Sequence, residues 1–277
     1  MFVKKMLFLS SLMFFSSKIF SNTLCIYDDA PKQGYGNDDM HTNGEELIIK
    51  IFIKPNAVIF DVGANIGKWT EFVLQNSVNP KIFCFEPSPA YATLTKNFAK
   101  IDAVTVANVA VDCSCGEREF VFYPTLSVVS AFFVRPRYSA LKQAKIKVAT
   151  VTLDSFCEKN NVNHVDFLKI DTEGAEAAVI DGARGLLDKG MIDCIQFEYG
   201  GCYVEAGKKL FDIYRLLKSY GFLIFREVGD GLVQIPAWKD SLENYTFSNY
   251  FALKRCIFDS MSLDFIKKIH VLYKSNI

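Results

Sequence analysis

Four acidic residues stand where apolar runs end: Asp61 after AVIF, Glu86 after KIFCF, Asp171 after HVDFLKI and Glu198 after MIDCIQF. The first leads into a glycine turn, DVGANIG, with Gly63 and Gly67 on either side of Asn65. A glycine lets the chain bend sharply and come within contact of a ligand, because no Cβ intervenes. The helix that follows such a turn offers free N–H groups and the positive end of its dipole. That setting suits a nucleotide-like cofactor. Glu86, about 20 residues past the turn, is placed to accept both hydroxyls of a ribose on its two carboxylate oxygens.

Two kinds of cofactor meet that description. A nicotinamide dinucleotide calls for G-x-G-x-x-G, whose middle glycine admits the pyrophosphate. Here Asp61 replaces the first glycine and Asn65 the second. A carboxylate at that point repels a diphosphate and attracts a cofactor with a cationic amino-acid part, as in S-adenosylmethionine. An NAD-dependent oxidoreductase and a cofactor-binding module without turnover are the competing readings.

The elements that position these acids alternate between strands and helices. TNGEELIIKIF reads as a short helix leading to the first central strand, KPNAVIFDVG. KIFCFEP is a second strand, and SPAYATLTKNFAK a helix with Ser88 as its cap and Pro89 in its first turn. AVTVANVAV reads as a third strand and REFVFYP as a half-exposed one. The stretch 125–147 is irregular up to the strand KVATVTL. HVDFLKID and MIDCIQFEYG are strands, KKLFDIYRLLKSYG is a helix closed by Gly221, and FLIFREV and YTFSNYFALKR are the last strands. This alternation predicts an α/β fold, a mostly parallel sheet covered by helices on both faces. Ligands of such sheets bind beyond the carboxyl ends of the strands, where all four acids lie.

The motifs DVGANIGKWT, FCFEPSPAYATLTKN, NVAVDCSCGEREFVFYP, VTLDSFCEKNNVNHVDFLKIDTEGAEAAVIDGA and IQFEYG occur in this order. Over residues 43–254 the chain resembles the FkbM family of S-adenosylmethionine-dependent methyltransferases, most specifically in DVGANIG and KIDTEGAE. The resemblance implies a class I methyltransferase fold, a Rossmann-like three-layer sandwich on a seven-stranded, mostly parallel sheet with the last strand reversed. It implies O-methylation of a sugar, lipid-linked or natural-product acceptor. The cofactor loop would be Asp61, Gly63, Asn65 and Gly67, with Glu86 on the ribose and Asn108 to Asp112 near the adenine. The segment 125–147 follows the family only through Ser127 and Ser130.

Methyl transfer from a sulfonium is an in-line displacement, so the protein chiefly aligns the acceptor and excludes water. An alcohol must also lose its proton. Asp171 is the candidate to take that proton or to fix the hydroxyl, with Glu198 as substitute and Glu173 nearby. Lys169, two residues before Asp171, points to the same side of the strand; charge balance for the acids and a core ion pair are both open to it. Two carboxylates are a thin ligand set for magnesium, and no metal site is assigned. His41, His164 and His270 carry no assigned role, and Trp69 and Tyr199 read as core residues.

Lys plus Arg equal Asp plus Glu at 31 each, with no basic stripe, which argues against nucleic acid as a partner. None of the eight cysteines forms a C-x-x-C pair, so no zinc site is expected; Cys84 and Cys194 fall in apolar runs and read as core. Residues 1–21 carry two lysines, an apolar run from Met6 to Phe15 and then serines, a signal-like pattern. Export or membrane association through that segment is the expectation, with a cytoplasmic protein whose N-terminal helix packs on the domain as the alternative. The organisation expected is this segment, a linker over 22–41, the methyltransferase domain over 42–256 and a tail over 257–277. The partner expected is a small-molecule, glycan or lipid acceptor.

Overall fold

Alternating side chains along the central strands point to opposite faces, so each strand here carries two apolar sets and needs a cover on each side. The computed structural model describes residues 24–27, 35–260 and 269–272. The signal-like segment 1–21 and the side chain of His270 lie outside the described residues.

In chain order the elements begin with β1 (Leu24–Tyr27), α1 (Glu45–Phe52), β2 (Val58–Val62), α2 (Lys68–Asn76), β3 (Lys81–Phe85) and α3 (Ala90–Phe98). There follow β4 (Val104–Ala107), β5 (Ala110–Val111), β6 (Gly116–Phe122), β7 (Ala144–Val151), α4 (Leu153–Asn160) and β8 (Val165–Ile170). Then come α5 (Glu176–Asp181), α6 (Arg184–Asp188), β9 (Ile192–Tyr199), α7 (Cys202–Ala206) and α8 (Leu210–Ser219). The chain closes with β10 (Phe222–Val228), β11 (Gly231–Gln234), β12 (Ser248–Lys254), α9 (Arg255–Ser260) and β13 (Ile269–Leu272).

The main sheet runs β13-β1-β11-β10-β12-β9-β8-β2-β3-β4. Its centre, β4-β3-β2-β8-β9-β12-β10, is the expected seven-stranded sheet. β2, β3, β4, β8 and β9 pair in parallel, while β12 is antiparallel to both β9 and β10. Three further strands extend the edge beyond β10. The turn GDG at residues 229–231 makes β10 and β11 a hairpin, a punctuation the sequence reading passed over. β1 lies within the stretch 22–41, read as linker, and pairs with both β11 and β13.

One face packs Phe60, Phe83, Leu168, Ile195 and Phe197 against α4, α5, α6 and α8. Helix α8 shows why it forms there: Leu210, Ile213, Tyr214 and Leu217 make one buried stripe at helical spacing. The other face packs Ile59, Ile82, Phe167, Cys194 and Phe251 under α1, α2 and α3. The three-layer sandwich expected from the alternation of elements is therefore present. The run AVTVANVAV is not one strand but two. It breaks at Asn108, whose Nδ2 donates to the carbonyls of Glu86 at 2.9 Å and Pro87 at 3.3 Å, a side-chain bond that competes with the strand ladder. Beyond the break, β5 joins β7 and β6 in a small sheet beside the strand ends.

Candidate functional site

The glycine turn is held from below and behind by the chain itself. Gly63 has φ 86° and Gly67 φ 91°. A Cβ on Gly63 would stand 1.8 Å from the carbonyl oxygen of Asp171, and one on Gly67 would stand 2.2 Å from the ring of Phe98. The closeness these glycines permit is thus between β2 and the end of β8, and between the turn and α3, rather than to a ligand. The turn's donors are engaged as well. Gly63 and Ala64 N–H donate to the carbonyl of Phe85, and Asn65 N–H donates to Glu86 Oε2 at 2.8 Å. Three consecutive N–H groups tied to the end of β3 leave little to cradle a diphosphate.

Glu86 is buried and its other oxygen accepts from Ser88 N–H at 2.8 Å. Each carboxylate oxygen keeps a second lone pair, so the pinned carboxylate still has one acceptor site per oxygen to offer a vicinal diol. Burial pushes its pKa up, against the pull of the Ser88 and Asn65 donors. Glu86, Gly63 and Asn65 line a narrow chamber of about 50 Å³ between Phe85, Val109 with the β5 residues Ala110 and Val111, and Phe120 and Phe132. Asn108 and Asp112 do not line it. Asn108 is turned to the Glu86 and Pro87 carbonyls, and Asp112 is buried on Arg118 at 2.6 Å. Their neighbours between them form the wall instead.

Asp61 lies beneath the turn, not at its mouth. It is fully buried, and Oδ2 accepts from the Thr70 hydroxyl at 2.6 Å. Its Oδ1 has no hydrogen-bond partner among the described residues. Burial raises its pKa, opposed by the charge of Lys169 on the next strand and by Thr70. An unpaired buried carboxylate oxygen is costly and asks for a donor. Asp61 lines neither the chamber nor the larger basin beside it, so the choice of a cationic head group expected of it is not made at the mouth of the turn.

Beside the chamber opens a basin of about 710 Å³, reaching from Gly63 and Asn65 to Asp171, Glu198 and α1. The two spaces share Gly63, Asn65, Val128, Asp171 and Glu173. Lys169 Nζ reaches Asp171 Oδ2 at 2.9 Å. Burial works to raise the Asp171 pKa, but Lys169 and a hydrogen bond from Glu198 outweigh it and hold the carboxyl below its ordinary value. Glu198 moves the other way: burial first, then the charges of Asp171 and Glu173, push it well above. The two acids read as alternates in the sequence have their acidities driven apart, Asp171 below and Glu198 above the ordinary carboxylate value. Such a pair titrates as a unit. Lys169 is buried yet stays charged, since Asp171, Asp61 and Glu45 more than offset its desolvation. It serves both as a core ion pair and as the charge balance of the site.

The irregular stretch after β6 forms the roof. Ser127, in a 3-10 turn, exchanges hydrogen bonds with the Asn65 amide at 3.1 and 3.2 Å. Arg135, buried, donates from Nη1 to Glu173 at 2.5 Å and from Nε to Glu205 at 2.7 Å, while its N–H donates to the Tyr123 hydroxyl. Glu176, in DTEGAE, accepts from the N–H groups of Thr172 and Gly174 and from the Thr172 hydroxyl, which fixes the loop after Asp171. Neither Arg135 nor Glu176 stood out in the sequence, although Glu176 lies within its most specific motif.

Other residues sit elsewhere. Trp69 and Tyr199 are core, the latter accepting from Tyr245 N–H. His41 pairs with Glu46 on the surface, and His164 lies with Asp166 and Asp193 at the other end of the sheet. Glu173, Glu198 and Cys202 each bring a metal-competent atom within 4.8 Å of the others, but Arg135 already occupies Glu173 there, whose pKa burial pushes up to about 8 against the pull of Arg135. Cys84 and Cys194 are buried free thiols, as expected.

A model of the methyltransferase FkbM domain matches residues 61–224, more than half of the chain. The chain belongs to the FkbM methyltransferase family. Among FkbM relatives, 2-O-methyltransferase NoeI of Sinorhizobium fredii is 29% identical over 156 residues, covering 51% of this chain and 63% of its own length. The chain thus spans less than two thirds of NoeI. The 31-O-demethyl-FK506 methyltransferase FkbM of Streptomyces tacrolimicus is 26% identical over 204 residues, 63% of this chain and 76% of that protein. A solved TehB-like SAM-dependent methyltransferase from Corynebacterium glutamicum superposes with a TM-score of 0.42 at 13% identity, covering 79% and 90% of the two chains. Membership in the FkbM family removes the dinucleotide-dependent oxidoreductase from the readings. The α1 and β12 segments, which border the basin, lie outside the matched range.

Proposed function

We propose that this FkbM-family chain transfers a methyl group from S-adenosylmethionine to a hydroxyl oxygen of a small-molecule, sugar or lipid-linked acceptor. The observation that carries the reading is the placement of Asp171 where chamber and basin meet, with Glu198 on the neighbouring strand lining the basin beside it. Glu86 would hold the ribose, and Gly63, Asn65 and Gly67 shape the turn. When bound, S-adenosylmethionine supplies a methyl group already activated on a sulfonium.

The chain's residues then have three tasks. The ionised Asp171 accepts the proton of the acceptor hydroxyl while that oxygen forms its bond to the methyl carbon and the carbon–sulfur bond breaks. Lys169 holds one Asp171 oxygen and fixes its orientation. Glu198, protonated, donates to Asp171 and keeps a second negative charge out of the site.

NoeI is named as a 2-O-methyltransferase and the Streptomyces relative as a 31-O-demethyl-FK506 methyltransferase, which supports oxygen as the acceptor atom. Calorimetry with S-adenosylhomocysteine tests the cofactor. Binding is expected, and its absence would defeat the proposal. Mass spectrometry of glycans and lipids from cells with and without the gene then tests the reaction, a missing methyl being the expected result. Binding without any missing methyl would leave a module that holds the cofactor and does not turn over. Export or membrane association through residues 1–21 is a separate proposal, which N-terminal sequencing of the natural protein decides.

A further inference from the structure

From Phe120 to Leu153 the chain carries no Asp or Glu, but it carries five cations: Arg135, Arg137, Lys142, Lys145 and Lys147. Three of them are answered within the fold. Arg135 is held by Glu173 and Glu205, Lys145 reaches Glu119 at 2.7 Å, and Lys147 stands opposite Glu119 in the ladder of β6 and β7. Arg137 and Lys142 are exposed and meet no carboxylate among the described residues. Both belong to the roof.

The same surface carries aliphatic side chains in water. Seven large apolar side chains are exposed among the described residues, and four of them lie on the roof or on α7: Leu126, Val128, Val134 and Val204. The ion pair of Arg135 with Glu205 joins the two segments, with Val134 next to one partner in the chain and Val204 next to the other. Phe133 and Ala206 both pack on Gly174, which joins them a second time. An exposed valine by itself is ordinary. Four aliphatic residues grouped beside unanswered cations, on a stretch without acids, call for a partner.

The partner has to answer both chemistries. Neither Val134 nor Val204 lines the chamber or the basin, so a bound cofactor or acceptor would leave them bare. A second copy of the chain, meeting this face about a two-fold axis, would set Arg137 and Lys142 against their own counterparts. A nucleic acid answers cations and stacks on aromatic rings, but it offers nothing to exposed valines. A bilayer containing anionic lipid answers everything here: its phosphates meet the cations, and the aliphatic tips enter among the acyl chains. Tyr138, half-buried, has the guanidinium groups of Arg135 and Arg137 at 4.9 and 5.8 Å from its ring centre. A ring with a polar tip suits the boundary between headgroup and acyl chain. We propose that the roof and α7 form a membrane-docking surface that takes an anionic bilayer. The inference goes beyond the methyl-transfer reading and draws on none of residues 1–21.

The test is co-sedimentation of the full chain with vesicles of phosphatidylcholine, alone or with about one third phosphatidylglycerol. Binding to the anionic vesicles is expected to be at least about tenfold tighter, and to weaken as salt is added. Arg137→Gln combined with Lys142→Gln should weaken it by about tenfold or more, the worth of two interfacial cations. Val134→Ser combined with Val204→Ser should also weaken it by about tenfold, with the salt dependence unchanged. All four side chains are exposed, so both doubly substituted chains should melt as the parent does. Vesicle binding untouched in both would assign it to residues 1–21 and overturn the docking surface. No vesicle binding, equal binding to phosphatidylcholine alone, or tighter binding to a single-stranded oligonucleotide than to anionic vesicles would overturn it as well. So would a dimer in sedimentation that Val134→Ser with Val204→Ser abolishes.

Discussion

A single methyl group added at Gly63 would collide with the Asp171 carbonyl and force a side chain into a left-handed backbone. Gly63→Ala is therefore expected to lose the folded state or, if it folds, to lower the Tm by more than about 10 °C, a shift that a thermal melt reads directly. Asp171→Asn is nearly isosteric and leaves the backbone contact to Gly63 in place. It should keep S-adenosylhomocysteine affinity and lose about 10²- to 10⁴-fold in turnover, the usual worth of a positioned base. Unchanged turnover would remove Asp171 from the chemistry. The rate should fall on the acid side only below the ordinary carboxylate range, where Asp171 takes up a proton. It should fall again on the alkaline side as Glu198 gives up the proton it holds unusually long. The strand-end acids were legible in the sequence because each closes an apolar run. Their division of labour was not, since it depends on which neighbours each carboxyl meets across β8 and β9. The same holds for Asp61, whose burial beneath the turn depends on Thr70 and Lys169 packing over it.

At the scale of elements, the stretch between β6 and β7 behaves as a roof hung on one ion. Arg135 joins it to Glu173 on the loop after β8 and to Glu205 on α7. Arg135→Ala leaves two largely buried carboxylates without their cation, and a loss of about 3–5 kcal/mol is expected for a broken buried pair. Amide exchange should show it first, as faster exchange over 125–142 than over the central strands. The chamber beneath that roof has room for little more than a water molecule or two, so an entering nucleoside has to press back Val128 and Phe132. Added S-adenosylhomocysteine should accordingly change the exchange of residues 125–134, and an unaltered pattern there would place the nucleoside elsewhere. The central strands and the helices between them were readable from periodicity. The roof was not, because its conformation comes from contacts with Asn65, Glu173 and Glu205, distant in sequence. The split between β4 and β5 was hidden for a similar reason: Asn108 answers to carbonyls at the end of β3.

For the molecule as a whole, the feature with the widest reach is the number of acids held inside. Burial raises the pKa of Glu45, Asp61, Glu86, Glu176, Glu198 and Glu227 in the fold. The folded chain therefore binds more protons than the unfolded one, and the corresponding stability, fully present below the unfolded values, is lost as pH rises through the folded ones. Lys169, also raised, contributes in the same sense at higher pH, while Asp171 and Glu46, both lowered, oppose only in the acid range. The Tm is expected to be higher at about pH 5.5 than at about pH 8.5, and calorimetry showing the reverse would mean that burial does not raise these acidities in the fold. The parallel, two-sided sheet was legible from the alternation of elements, and its seven strands from the family resemblance. The three strands added at its edge were not, because β1 and β13 come from termini whose pairing no local pattern announces. The segments that frame the basin from outside residues 61–224 have a consequence for ancestry. Two descendants could share every donor-handling residue and still modify different compounds, having diverged only in a short helix near the start and a strand near the end. Grouping such enzymes by their common centre would then sort them by what they consume and say little about what they make.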